Sequence, residues 1–250
     1  MKNYKKLGQH FLLNKKIIEE IINKIKPKNN QSFVEIGSGF GAITKEIIKY
    51  LNKITVIEID KNVSKWIKNK KIYLIQKDVL KVNFFKIYNK LKSPLRIIGN
   101  LPYKISLKIL FYLMKFFYLI NDLHFMFQKE VADRITAEPG SKKYGKLTLI
   151  VKFYFKTKII MNVSPINFFP KPKVYSSFVY FKPTRLNSLI YNYKKFLIVV
   201  KNAFSFKRKI IKNNLNNLFS DKQLIRCNID PKIRAEKVNM KKYLLLSKML

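Results

Sequence analysis

The chain has 250 residues, enough for one large domain or for a large and a small one, each with a real core. Hydrophobic residues make up 48% of it, which excludes a disordered basic tail, and 52 Lys and Arg against 14 Asp and Glu give a formal net charge of +38. Such a field points to a polyanionic partner, nucleic acid first among them. One cysteine, Cys227, and two histidines, His10 and His124, exclude a disulfide framework and a Cys/His zinc site, and no metal site is expected.

No apolar run approaches the roughly 20 residues of a membrane span, because Lys115 and Lys152 interrupt the longest candidates. The basic start, Met1 to Lys6, is followed by an apolar patch of only Phe11 to Leu13, too short for a signal-peptide core, so a cytoplasmic protein is expected. Lys, Asn, Ile, Phe and Tyr all have A/T-rich codons, which leaves open how much of the charge is compositional.

In chain order, Ile17, Ile18, Ile21, Ile22 and Ile25 form a helical stripe, with Asn14 placed to cap it and Pro27 to end it. Phe33 to Ile36 predicts a short strand, followed by Gly37-Ser38-Gly39-Phe40-Gly41 and a second helical pattern from Ala42 to Leu51. Glycines between a strand and a helix let the backbone turn sharply and approach a ligand at a helix N-terminus. The spacing is GxGxG, not the commoner dinucleotide GxGxxG.

Ile54 to Ile59 predicts a second strand with Glu58 near its end, Ile72 to Ile75 a third with Asp78 just beyond, and Leu95 to Ile98 a fourth leading into Gly99-Asn100-Leu101-Pro102-Tyr103. From Gly37 to Glu58 is 21 positions, from Glu58 to Asp78 is 20, and from Asp78 to Asn100 is 22. A right-handed βαβ series produces this recurrence and brings all four strand ends to one edge of a parallel sheet. An acid about 20 residues past the glycine loop suits ribose hydroxyls, so a nucleoside cofactor is expected there.

A helix from Ile105 into Phe117, a fifth strand from Leu123 to Phe127 and a helix from Val131 to Ala137 follow. Leu147 to Phe155 is strongly apolar without a clean repeat, so helix and strand both stay open. Phe168-Phe169-Pro170-Lys171-Pro172-Lys173-Val174 reads as a stiff basic and aromatic loop, and Tyr175 to Phe181 as a closing strand. A linker at Pro183 to Asn187 divides residues 1–183 from a small helical domain, 184–250. In that domain Phe204, Ile211, Leu215, Leu218 and Phe219 line one side. Lys201, Lys207, Arg208, Lys209 and Lys212 form a face that is either solvated or phosphate-contacting.

Taken together, the chain resembles the KsgA-type ribosomal RNA adenine dimethyltransferases, class I methyltransferases that use S-adenosylmethionine. The resemblance runs through Leu7-Gly8-Gln9-His10-Phe11-Leu12, Val34-Glu35-Ile36-Gly37-Ser38-Gly39, Val56-Ile57-Glu58-Ile59-Asp60 and Gly99 to Tyr103. It continues in His124 to Val131, Phe168 to Val174, Ala203 to Phe219 and Ile229 to Glu236. It implies a Rossmann-like, mostly parallel sheet with a small C-terminal helical domain that contacts RNA or the ribosome.

For the site, the resemblance implies that His10 and Leu12 border the cofactor, Gly37 meets its amino-acid end, Glu58 its ribose and Asp78 its adenine. Asn100 would lie between cofactor and substrate. Asn100 and the Leu101 backbone oxygen would accept hydrogen bonds from an adenine amino group, and Tyr103 and Phe168 would sandwich the base. Relatives often carry Asn where His10 stands and Pro where Ser38 stands. The implied reaction is dimethylation of N6 of two adjacent adenosines in small-subunit RNA, on an immature subunit, by a monomer that needs no membrane. Three rivals are a resistance-type methyltransferase acting on large-subunit RNA, an assembly factor that uses no cofactor and a DNA adenine methyltransferase. The Gly37, Glu58, Asp78 and Asn100 set argues against the second, and no separate target-reading domain supports the third.

Overall fold

The computed structural model describes residues 9–184 except 68, and residues 190–250 except 207. Leu7 and Gly8 of the N-terminal motif, positions 185–187 of the expected linker and Lys207 of the basic face lie outside the described residues. The chain divides into two compact units, Met1–Ala132 with Lys158–Pro183, and Asp133–Thr157 with Thr184–Leu250.

The first unit begins with a two-residue strand β1 (Phe11–Leu12) and helix α1 (Lys15–Ile25). Asn14 caps α1 by accepting from the Lys16 N–H, and the chain leaves it through Lys26 in the left-handed conformation, one residue before Pro27. Ile18, Ile21, Ile22 and Ile25 are the buried face that the sequence spacing requires.

Strands β2 (Ser32–Ile36), β3 (Ile54–Ile57), β4 (Ile72–Ile75), β5 (Leu95–Gly99) and β6 (Ile120–Gln128) run parallel. Between them come helices α2 (Ala42–Ile47), α3 (Lys61–Ser64), α4 (Phe84–Leu91) and α5 (Tyr103–Met114). Helices α6 (Lys129–Thr136) and α7 (Lys146–Tyr154) precede β7 (Phe155–Val163), β8 (Phe168–Phe169) and β9 (Ser176–Pro183). The sheet order is β4-β3-β2-β5-β6-β9-β7, with β9 antiparallel to β6, while β1 and β8 form a separate antiparallel pair.

Two local results depart from the sequence reading. The apolar stretch is helix through Tyr154, and the chain then turns at Phe155 into β7, a strand absent from the sequence reading although Phe155, Met161 and Val163 are buried while Lys156, Lys158 and Asn162 are exposed. The compact units break at Pro183/Thr184 and differ from the expected division of 1–183 from 184–250 in one stretch. Residues 133–157 group with the C-terminal helices because Tyr144, Leu149 and Phe153 join their core instead of the sheet's.

A buried ion pair ties α1 to the sheet within the first unit. Arg96 Nε on β5 donates to both carboxylate oxygens of Asp122 on β6, at 3.0 and 3.1 Å. The rest of the guanidinium donates to Gln31 Oε1 at 2.6 Å and to the carbonyls of Lys26 and Ile25 at 3.3 and 2.8 Å, satisfying orphan groups at the end of α1. Nearby His124 is buried with Nδ1 3.5 Å from Asp122. Burial brings its pKa down to about 4; Asp122 opposes that fall and Arg96 adds to it, so the ring is neutral.

In the second unit, α8 (Tyr193–Ala203), α9 (Ile211–Leu215), α10 (Asp221–Arg226) and α11 (Met240–Lys248) bury Phe196, Val200, Ile211, Leu215, Phe219 and Tyr243 with the α7 residues. Ser220 caps α10 in a reciprocal capping box with Gln223. Lys201, Arg208 and Lys209 are exposed, Lys209 lying 4.5 Å from the Phe206 ring centre, and Lys212 approaches Asp221 at 3.4 Å.

Candidate active site

The strand order reverses between β2 and β5. Beyond the carboxyl ends of these two strands, where open α/β sheets hold their ligands, lie Gly37 and Asn100. A cavity of about 340 Å³ opens there. Of the nine site residues expected from sequence, His10, Leu12, Gly37, Glu58, Asp78, Asn100 and Leu101 line it. Tyr103 and Phe168 do not.

Gly37, Gly39 and Gly41 all have positive φ, at 70°, 54° and 80°, so the loop after β2 follows a path that L side chains resist. A Cβ at Gly37 would meet no atom within 4 Å, leaving open space against the backbone. At the end of β5 the reason for glycine is different, since a Cβ on Gly99 would come within 2.7 Å of the Ile36 carbonyl oxygen. This close approach of β5 to β2 sets Asn100 beside the glycine loop.

Glu58 is buried, and its carboxylate accepts from the backbone N–H groups of Gly39 and Asp60, both at 3.0 Å. These two bonds fix the carboxylate and leave it spare lone pairs for hydroxyl donors. Asp78 accepts from the Leu80 N–H at 2.9 Å and heads the short turn Val79–Lys81, so one oxygen is held while the other remains available. Asn100 Nδ2 donates to the His10 carbonyl at 2.8 Å, which fixes the amide and leaves its oxygen as acceptor.

Tyr103 opens α5 with a half-buried ring, and its hydroxyl shares a 2.5 Å hydrogen bond with Ser176. Burial pushes the phenol pKa up, against the opposing effect of that bond. The ring facing Tyr103 is His10, with centres 5.3 Å apart and planes at 30°. His10 Nδ1 lies 2.6 Å from the Pro170 carbonyl, which can only accept, so Nδ1 carries a proton and donates it there.

The expected sandwich of Tyr103 and Phe168 is not assembled in this structure. Phe168 is 4% exposed and packed in the core, held on β8 opposite Leu12 of β1. Its neighbour Phe169 is the exposed aromatic of that loop, at 53%. In a strand pair alternate residues face opposite ways, so burying Phe168 exposes Phe169.

Three polar residues of the cavity wall were missed in the sequence. Gln9 Oε1 and Ser38 Oγ are buried and have no hydrogen-bond partner among the described residues. Glu35, 1% exposed, accepts from Thr44 Oγ1 at 2.5 Å. Burial raises its pKa to about 7, the Thr44 bond opposing the rise and the Glu58 carboxylate adding to it. The signal for Glu35 was present, since it is the one charged residue in the apolar run that ends at the glycine loop.

The sheet order, the glycine loop at the switch point and the strand-end acids define a Rossmann-like, class I methyltransferase. The chain belongs to the ribosomal RNA adenine dimethylase family, whose model matches residues 1–250, and is an enzyme that methylates adenine in ribosomal RNA. It is 41% identical over 251 residues to a ribosomal RNA small subunit methyltransferase A of Buchnera aphidicola subsp. Acyrthosiphon pisum (strain APS), covering 98% of this chain and 92% of that protein. It is 44% identical over 248 residues to the protein of the same name in Buchnera aphidicola subsp. Baizongia pistaciae (strain Bp), covering 97% and 95%.

Among solved structures, a dimethyladenosine transferase from Plasmodium falciparum superposes with a TM-score of 0.80 at 26% identity, covering 95% of this chain and 96% of that one. The 23S rRNA methyltransferase ErmE shares the fold, with a TM-score of 0.77 at 21% identity over 96% and 99% of the two chains. No helix among the described residues is long and apolar enough to cross a membrane.

Proposed function

We propose that this protein uses S-adenosylmethionine to dimethylate N6 of two adjacent adenosines in small-subunit ribosomal RNA, on an immature subunit, acting as a monomer in the cytoplasm. The observation that carries the reading is Asn100 at the switch point, its amide anchored on the His10 carbonyl and its oxygen left as acceptor beside the glycine loop. The cavity fits the cofactor. Its volume suits a nucleoside-sized ligand, its backbone wall at Gly37 is open, and the orphaned Gln9 and Ser38 oxygens need partners that the protein does not supply.

When bound, the cofactor supplies a methyl group activated by its sulfonium, so transfer needs alignment above all. Glu58 holds ribose hydroxyls, Asp78 accepts from an adenine amino group, and His10 and Leu12 close the N-terminal side. On the acceptor side, Asn100 Oδ1 and the Leu101 carbonyl draw on the amino protons of the target adenine. This localises the nitrogen lone pair without placing a charge in the pocket. Tyr103 supplies one face for the extruded base, replacing stacking worth about 1–3 kcal/mol. The second unit's exposed Lys and Arg residues contact ribosomal RNA phosphates.

The test is transfer of labelled methyl groups to small-subunit RNA and to immature subunits, with modified nucleotides located by mass spectrometry. Dimethyladenosine at two adjacent positions is expected, and labelling of large-subunit RNA alone would refute the proposal.

The ring opposite Tyr103 can be assigned by substitution. Phe168→Ala is expected to lower stability by about 3–5 kcal/mol, because it empties a core position. Phe169→Ala should leave the melting temperature within about 2 °C of the parent. If Phe169→Ala reduces methyl transfer while the fold is intact, the exposed ring is the second face. If only Phe168→Ala does so, beyond its effect on stability, the strand β8 must release it on binding.

Glu35 makes the site pH-dependent. Without ligand its raised pKa means that its contribution to stability is full below the ordinary carboxylate value of 4.5 and is lost as pH rises to about 7. A cationic cofactor favours the ionised form, so its affinity should rise with pH through 7. The gain between pH 6 and 8 is expected to reach about tenfold and to flatten in Glu35→Gln, read by isothermal titration calorimetry. An equal pH dependence in both proteins would exclude Glu35 as the cause.

A further inference from the structure

A second cavity, of about 770 Å³, lies in the first unit between α4 and strands β2, β3 and β4, mostly toward their amino-terminal ends, and shares Lys77 with the active-site cavity. Phe33, Thr55 and Tyr73 contribute to its walls, one from each strand. Around them stand Lys53, Lys70, Lys71, Lys77, Lys86 and Lys90, and no Asp or Glu lines the cavity among the described residues. Six like charges around one space repel each other, so the folded state gains from any anion that enters.

Two of the lysines are fixed by other partners. Lys71 Nζ donates to the Ile48 and Leu51 carbonyls at 3.1 and 3.0 Å, and Lys90 Nζ lies 3.5 Å from the centre of the Tyr73 ring. Lys53, Lys70, Lys77 and Lys86 are exposed and make no ion pair among the described residues. Thr55 is 4% exposed. Tyr73 is 52% exposed, because β4 is the sheet edge. The cavity therefore combines an aromatic ring with exposed cations, the set that single-stranded nucleic acid requires.

We propose that this cavity binds one nucleotide of a single-stranded segment of the RNA substrate, the base displacing Lys90 from the Tyr73 ring and the flanking phosphates lying on Lys86, Lys70 and the released Lys90. A lone phosphate would leave most of the volume and the aromatic face unused. The inference rests on the RNA-directed activity. It gives that activity a second handle on the strand, centred toward the amino-terminal ends of the parallel strands.

Fluorescence anisotropy with a short labelled single-stranded RNA tests this on the full chain. The K86Q/K90Q protein is expected to bind about tenfold more weakly at moderate salt, and the slope of log affinity against log salt should fall by about 1.4 for two lost phosphate contacts. Y73A should weaken binding at least about fivefold, and both variants should bind S-adenosylmethionine as the parent does. Crosslinking of 4-thiouridine RNA to the peptide containing Tyr73 supports the site without any substitution.

Parent-like RNA affinity and salt slope in both variants would overturn the proposal, as would adenosine monophosphate displacing the RNA at equal affinity, since the site would then be one for free nucleotides. A parent protein that binds no RNA would overturn the functional reading itself, a different and separable outcome.

Discussion

Asn100→Ala is expected to abolish measurable dimethylation, lowering the rate of methyl transfer at least about 10² to 10³-fold, the range seen when one preorganised polar group is removed from a reacting centre. The side chain has two jobs that a single substitution removes together. In the proposed mechanism its oxygen accepts from the substrate amino group, and its Nδ2 donates to the His10 carbonyl at 2.8 Å. Asn100→Asp separates them, because it keeps an acceptor and loses the donor. If the acceptor oxygen is what counts, Asp should retain more activity than Ala, although its negative charge disturbs the pocket. Cofactor affinity, measured by calorimetry, should change only a few-fold in Asn100→Ala, since Glu58, Asp78 and the Gly37 loop remain. An Asn100→Ala enzyme as active as the parent would remove the mechanism.

Arg96→Ala should be strongly destabilising, at about 3–5 kcal/mol, because it leaves the Asp122 carboxylate buried without its cationic partner. It also strips donors from Gln31 Oε1 and from the carbonyls of Ile25 and Lys26, so the end of α1 loses its tie to β5. For a chain of this size each kcal/mol moves the melting temperature by about 2–4 °C, so a fall of roughly 6–20 °C is expected in a thermal melt followed by circular dichroism. Replacing both partners, Arg96→Met with Asp122→Leu, should recover much of the loss, since two apolar groups leave no charge stranded. A melting temperature within 2 °C of the parent for Arg96→Ala would show that water or rearranged side chains rescue Asp122.

The parts of the fold that were legible from sequence are those set by neighbours along the chain. The Asn14 cap, the α1 stripe, the parallel strands and the spacing of Gly37, Glu58, Asp78 and Asn100 all follow from local periodicity and from the handedness of βαβ units. The strand β7 was written in its alternation but masked by the apolar helix that runs into it without a breaker. Residues 133–157 could not be assigned to the helical unit from sequence, because apolar side chains carry no label for which core they enter.

By itself, then, the sequence determined the class of fold and the strand-end positions of Gly37, Glu58, Asp78 and Asn100, and the family resemblance added the expectation of adenine-directed chemistry at Asn100. Only the tertiary structure decided which groups meet across the chain. It brought His10 to Pro170, 160 positions away, turned Phe168 inward and Phe169 outward, and buried Glu35 deeply enough to hold its proton near neutral pH. The physical reason is common to all three: orientation, burial and the local dielectric are properties of packed surroundings, and no stretch of chain carries its surroundings with it.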